Sequence, residues 1–168
     1  MPGSDDATRP FSIEKIKSNN VKRILDVGPG VGTYSVALKN AKWKGNITGI
    51  EIWEPYIELY DLNSKYDEII LKDVRLHDDF NYDLVIFGDI LEHMTKEEAI
   101  AVWDKVKTQS KYALIAIPII HYEQGEWGGN PYEAHVKDDW TADEVRDTFS
   151  HIVDWYESAI TGAFWAEF

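Results

Sequence analysis

The eight residues from Leu25 to Gly32, read Leu-Asp-Val-Gly-Pro-Gly-Val-Gly, constrain the fold more tightly than any other stretch of this chain. They complete a nearly continuous apolar run over Val21–Val27, in which Ile24, Leu25 and Val27 suit a strand covered on both faces. Glycines follow at 28, 30 and 32, and Thr33–Lys39 then carries Tyr34, Val36, Ala37 and Leu38 with helical clustering. The order is strand, glycine turn, helix. Missing Cβ atoms let such a turn fold tightly and bring backbone close to a ligand, as nucleotide-type cradles do.

The alternation continues without an internal repeat. Asn46–Ile52 reads as a second, β-branched strand and Glu54–Lys65 as a second helix with Pro55 in its first turn. Glu68–Lys72 is a short third strand, Tyr82–Phe87 a fourth, Lys96–Lys107 a helix and Tyr112–Pro118 a fifth strand. Strands separated by helices imply right-handed parallel crossovers and a doubly wound α/β sheet. From Ile119 to Asp139 the pattern stops, and a loop of that length in a compact domain is usually functional or mobile. Thr141 followed by Glu144 matches a capping box opening a helix to about Phe149. His151–Ser158 and Thr161–Phe168 are alternating strands whose brief connection requires an antiparallel pair. Ahead of all this, Met1–Pro10 reads as a loose tail and Phe11–Ser18 as a short helix or extended lead-in capped by Ser12. The expected organisation is a tail and lead-in helix over 1–20 and a single domain over 21–168.

Length and charge restrict what that domain can serve. At 168 residues there is room for one core and one site, not for a separate substrate domain. Thirty acids against 17 bases give a formal charge of −13, and Lys and Arg are scattered, which weighs against DNA, RNA or an anionic membrane as partner. With no cysteine, disulfides, thiolate metal sites and a cysteine nucleophile are excluded. No apolar run approaches the length of a membrane span and the N-terminus is polar, so a cytoplasmic location is the expectation.

Spacing narrows the ligand. A dinucleotide fingerprint sets its last two glycines three apart, whereas here all three alternate and Asp26 stands two positions before the first, which disfavours a diphosphate. That spacing, with no Tyr-x-x-x-Lys pair, argues against a nicotinamide-dependent reductase. Glu51 ends the second strand, where a carboxylate can accept hydrogen bonds from both hydroxyls of an adenosine ribose. Alone it reads as an ordinary strand-end acid. Joined to the glycine turn, it reads as a ribose ligand.

Over Val21–Pro118 these residues resemble the class I S-adenosylmethionine-dependent methyltransferases, specifically the small Rossmann-like members with Leu-Glu-His after the fourth strand. The resemblance implies a three-layer α/β fold: a mostly parallel seven-stranded sheet with an antiparallel C-terminal strand pair and helices on both faces. It places Asp26, Gly28, Gly30 and Gly32 around the methionine end of S-adenosylmethionine and Glu51 on its ribose. Ile52 lies against the adenine, Asp73 contacts that ring, and Val74 supplies a backbone amide. The segment Tyr82–Met94 is similar to the family's fourth motif over its whole length, which sets Gly88 and Asp89 beside the methyl donor, with Glu92 and His93 opening the next turn.

His93 reads either as a base or as a structural ring bonded locally to Glu92. The loop after Pro118 follows the C-terminal end of a strand, where ligands of open α/β sheets bind, so it can close as a lid. Its Tyr122, Trp127 and Tyr132, with Trp140 beyond, offer apolar walls or simply pack the lid, and His121 and His135 offer proton acceptors. Asn130–His135 with Trp140 and Thr141 also looks like the substrate-side segment of some family members. No metal constellation stands out. Displacement at a sulfonium needs alignment above all, and a base such as His93, His121 or His135 only where the accepting atom must lose a proton. The expectation is therefore S-adenosylmethionine-dependent transfer of a methyl group to an oxygen or nitrogen of a small molecule or glycan. Whether the chain works as a homodimer is left open. A non-catalytic cofactor-binding or partner-binding module on the same sheet is the rival reading.

Overall fold

In the computed structural model, which describes residues 6–168, the seven expected strands all form. They are β1 (Arg23–Val27), β2 (Asn46–Glu51), β3 (Glu68–Leu71), β4 (Leu84–Gly88), β5 (Tyr112–Pro118), β6 (Ile152–Glu157) and β7 (Thr161–Glu167). Together they make one sheet in the order β3-β2-β1-β4-β5-β7-β6. The first five are parallel, and β7 runs antiparallel between β5 and β6. Strand order reverses between β1 and β4, and the crevice outside the strand ends at such a switch point is where open α/β sheets bind ligands.

Period-two alternation sends each strand's side chains to two separate cores. On one face Ile24, Leu84, Ile86, Leu114 and Trp165 meet Ile16 of α1 (Arg9–Ser18), Tyr34 and Leu38 of α2 (Thr33–Asn40) and Leu62 of α4 (Leu62–Lys65). On the other, Leu25, Val27, Val85, Phe87 and Ile115 meet Val102, Trp103 and Val106 of α5 (Lys96–Val106) and Val145 of α6 (Ala142–Thr148). Burial on both faces is what a continuous apolar strand such as β4, Leu84 to Phe87, requires. The architecture is the expected three-layer α/β sheet.

Three local expectations are corrected. The helix read over Glu54–Lys65 divides into α3 (Pro55–Leu59) and α4. Asp61 between them adopts a left-handed φ of 49°, a conformation Asp tolerates better than most residues. The Lys65 ammonium also donates to the Val31 and Tyr60 carbonyls at 2.9 and 2.6 Å. The lead-in helix starts earlier than Phe11, at Arg9 with Pro10 in its first turn, after a 3-10 turn over Asp6–Thr8. Ser12 is therefore inside the helix, donating to the Thr8 carbonyl at 3.1 Å, and is not its cap. Of the expected tail, Met1 to Asp5 lie outside the described residues. At α6 only half of the capping box forms: Thr141 accepts the Glu144 amide at 3.1 Å, but the Glu144 carboxylate turns to Lys96 and Lys137. The reciprocal box stands at α5 instead, between Thr95 and Glu98. Among the described residues, no helix is long and apolar enough to cross a membrane.

Candidate active-site cleft

The turn after β1 is held open by backbone geometry. Gly28, Gly30 and Gly32 take φ of 63°, 53° and 83°, values that a side chain would oppose. A Cβ at Gly28 would fall 2.0 Å from Ile90 Cδ1. The Gly28 amide donates to the Ile50 carbonyl at 2.9 Å, pinning the turn to the end of β2. There Glu51 is almost fully buried, its Oε1 accepting the Trp53 amide at 2.8 Å. Burial pushes the Glu51 carboxyl up to about 7 against the lowering effect of backbone amides, the Trp53 amide foremost. Asp26 lies beneath the turn at 1% exposure and accepts the Tyr66 hydroxyl at 2.6 Å. Burial takes it to about 7 as well; the Tyr66 bond opposes this and Glu51 adds to it. At the end of β4, Asp89 follows Gly88 with a left-handed φ of 53°, a conformation costing about 1–3 kcal/mol for a residue with a side chain.

The facing wall comes from the long loop. The 3-10 turn Leu91–His93 receives it: the Val136 and Lys137 amides donate to the Glu92 carbonyl at 2.8 and 3.0 Å. His93 Nδ1 bonds the Ala134 carbonyl at 3.1 Å and His135 Nδ1 the Tyr122 carbonyl at 2.6 Å. A carbonyl only accepts, so both rings carry their proton on Nδ1 and keep the lone pair on Nε2. The rings meet edge to face, with centroids 4.9 Å apart. Burial holds both below the usual histidine range, which keeps them neutral at neutral pH. His93's partner is thus the loop and not Glu92 as the local reading had it. Glu92 is 2% exposed, and neither of its carboxyl oxygens has a hydrogen-bond partner among the described residues. Burial first, and Asp89 second, push this carboxyl well above its ordinary value. One potential ligand atom from each of Glu92, His93 and His135 lies within 4.8 Å of the others. The fold therefore assembles a metal-type constellation that spacing along the chain does not display.

A single cleft of about 360 Å³ joins the two walls. Of the expected cofactor residues, Gly28, Gly30, Glu51, Ile52, Gly88 and Asp89 line it, and His93 and His135 line its other end. Asp73 and Val74 line a smaller adjoining pocket that shares Gly28, Ile52 and His93 with the cleft. The Asp73 carboxylate is engaged by the Arg75 amide at 2.9 Å and guanidinium at 2.6 Å. Burial raises its pKa, but Arg75 outweighs that and holds it below the usual carboxylate range. Asp26 supports the turn from below, and Gly32 sits at the start of α2. His121 lies outside the cleft, exposed and 3.3 Å from Asp138. Tyr122 and Tyr132 line the cleft as walls. Trp127 is exposed outside it, and Trp140 is a core residue packed on Phe149.

Sequence reasoning singled out neither Tyr56 nor Glu133, which meet in the cleft: the Tyr56 hydroxyl donates to Glu133 Oε1 at 3.1 Å. Glu133 falls in the Asn130–His135 segment, so that segment was the available signal. Nothing in the sequence pairs it with Tyr56.

A family model described as Methyltransferase domain matches residues 25–112. Among solved structures, the chain is similar to an S-adenosylmethionine-dependent methyltransferase of Clostridium acetobutylicum at TM-score 0.70 and 14% identity, covering 95% of this chain and 89% of that one. It is similar to the magnesium protoporphyrin IX methyltransferase of Synechocystis, solved with S-adenosylhomocysteine bound, at TM-score 0.70 and 16% identity, covering 95% and 81%. A candidate O-methyltransferase of Nostoc punctiforme matches at TM-score 0.68 and 16% identity; the overlay covers 95% of this chain but spans only 55% of that protein. At these identities the likeness is one of fold. No curated protein matches the chain.

Proposed function

We propose that this chain, which belongs to the Methyltransferase domain family, moves a methyl group from S-adenosylmethionine to an oxygen or nitrogen of a small molecule or glycan. The observation that carries this reading is the continuity of one cleft between the glycine turn with Glu51 at one end and the loop histidines at the other. The residues at the first end fit the cofactor, because Gly28 and Gly30, held at left-handed φ, carry bare backbone along the same cleft that the buried Glu51 carboxyl lines. The turn from Gly28 to Gly32 takes the methionine end, Glu51 the ribose hydroxyls and Ile52 the adenine, whose edge reaches the pocket of Asp73 and Val74. Gly88 and Asp89 lie beside the sulfonium, while Asp26 supports the turn from beneath through its bond with the Tyr66 hydroxyl. Two buried carboxyls near the donor favour its positive charge over the neutral thioether left after transfer. The S-adenosylhomocysteine in the Synechocystis enzyme supports the same choice of ligand.

When bound, the donor supplies an activated methyl and its own leaving group. The chain supplies alignment, which can account for roughly 7–11 kcal/mol of barrier. Tyr122 and Tyr132 wall the acceptor's approach, and the loop's bonds to Glu92 and His93 hold that wall over the strand ends and exclude water. His93 and His135 present neutral rings at the acceptor end, whereas His121, on the solvent side of the loop, has no part in transfer. Residues 21–168 form the working domain, with α1 closing one of its faces.

Calorimetric titration of S-adenosylhomocysteine into wild type, Glu51→Ala and Gly28→Val tests the reading. Micromolar binding by wild type, lost in both variants with folding intact by circular dichroism, is expected. Folded wild type that takes up no ligand overturns it.

A further inference from the structure

We propose that Glu92, His93 and His135 bind a first-row divalent transition-metal ion, and that this ion holds a hydroxyl oxygen of the acceptor beside the donated methyl group. The second half rests on the methyltransferase reading; the ion site does not. Three observations converge on it. The three side chains come from two separated segments, yet each brings one ligand atom to within 4.8 Å of the others. With bonds of about 2.1 Å, ligands at right angles around an ion stand about 3.0 Å apart and opposite ones about 4.2 Å, so an ion is reached when each side chain moves inward by about an ångström. Both imidazoles donate Nδ1–H to backbone carbonyls, of Ala134 and Tyr122, the arrangement that fixes a metal-ligating histidine's tautomer and aims its Nε2. Independently, Glu92 is a carboxyl group at 2% exposure whose two oxygens have no hydrogen-bond partner among the described residues. A fold does not ordinarily leave such a group unsatisfied without a reason.

Two imidazoles and a carboxylate select the ion. Mixed nitrogen and oxygen donors suit manganese(II), iron(II), cobalt(II) or zinc(II), whereas magnesium and calcium prefer all-oxygen shells. Three protein ligands leave coordination positions open, as in the two-histidine, one-carboxylate sites that admit substrate. All three line the cleft that also holds Gly88 and Asp89, so an open position faces the donor end. The acceptor class follows: an alcohol, best one with a second oxygen adjacent, as in sugars and other polyols. Its hydroxyl proton leaves to solvent, the oxygen's electron pair forms the new O–CH3 bond, and the S–CH3 pair departs with the thioether. No further reactant is required. Histidine then serves as ligand and not as base.

The test separates the ion site from the methyltransferase reading. Chelator-stripped wild type is titrated with cobalt(II), followed by visible absorption, and with manganese(II) and magnesium(II) in equilibrium dialysis. S-adenosylhomocysteine binding is measured on the same samples. Glu92→Gln, His135→Ala and His135→Asn are the variants, with His121→Ala, in the same loop but outside the cleft, as control. The expected result is one cobalt or manganese per chain, magnesium bound at least tenfold more weakly, at least a hundredfold loss in the three variants, and none in His121→Ala. His135 lies in a loop, so its variants keep the test sound if Glu92→Gln fails to fold. Wild type that binds S-adenosylhomocysteine but no stoichiometric ion overturns the inference and leaves the methyltransferase reading standing. Ion binding unchanged by the His135 variants overturns it too. Ion bound without S-adenosylhomocysteine upholds the site and sinks the reading on which its acceptor role rests.

Discussion

The two ends of the cleft are made in opposite ways. At the strand ends Gly28, Gly30, Glu51, Ile52, Gly88 and Asp89 all sit within three residues of a β-strand, and their place is set by register: Val27 pairs with Ile50 and with Phe87, which brings Gly28, Glu51 and Gly88 to one line. The loop end has no such frame. It depends on contacts between residues remote in sequence: the Ala134 carbonyl with His93, the Tyr122 carbonyl with His135, and the Glu133 carboxylate with Tyr56. The first end is fixed by backbone and changes little without destroying the sheet. The second is fixed by side chains and can be altered piece by piece, which is where acceptor choice is expected to lie.

The sharpest way to break this division is Gly28→Val, which forces a Cβ against Ile90 at a left-handed φ. It should weaken S-adenosylhomocysteine binding by at least a hundredfold in calorimetry, whereas Tyr122→Ala, at the loop end, should change that affinity less than threefold and shift the acceptor KM. Glu51→Ala comes next, at about 1.5–3 kcal/mol or some 10- to 100-fold in cofactor Kd, the range for hydrogen bonds to a charged group. If it moves acceptor KM and not cofactor Kd, the two ends have been assigned the wrong way round.

Acidity gives the third comparison. Asp26 and Glu51 are both raised to about 7, so the folded apoprotein binds more protons than the unfolded chain between their ordinary values and 7. The stability they contribute is complete below about pH 4 and is lost as pH rises through 7. A cationic ligand favours the ionised carboxyls, so its affinity should run the other way, rising about tenfold between pH 6 and 8 for each proton released. Thermal melts with and without S-adenosylmethionine across that range would show the ligand-induced shift growing with pH; a flat shift counts against both carboxyls. The smallest effect is expected from Tyr56→Phe, about 1 kcal/mol or fivefold in acceptor KM from one lost hydrogen bond to Glu133, with cofactor Kd unchanged.

What was legible in the sequence follows the same division. Strand alternation and the glycine turn are local signals, and they located the sheet, its antiparallel pair and Gly28, Gly30 and Glu51 of the cleft, whereas Ile52, Gly88 and Asp89 were reached only through the family resemblance. The break at Asp61 escaped because a single left-handed residue leaves the apolar spacing of Glu54–Lys65 intact. Trp140 reads either as a wall of the acceptor site or as packing for the lid, and it packs: the core takes one face of its ring on Phe149, with the Lys96 and Lys137 ammoniums over it. The meeting of Glu92 and His93 with His135 has no sequence signal, since the loop between them sets their distance. The same holds for His121, which looks equivalent to His135 in sequence and faces away.

The most direct measurement is a crystal structure grown with S-adenosylhomocysteine. The account predicts its methionine portion along Gly28–Gly32, its ribose hydroxyls on Glu51 and its sulfur beside Gly88 and Asp89, opening toward His93 and His135. A nucleoside bound elsewhere, with Glu51 still engaged by backbone amides alone, would contradict it.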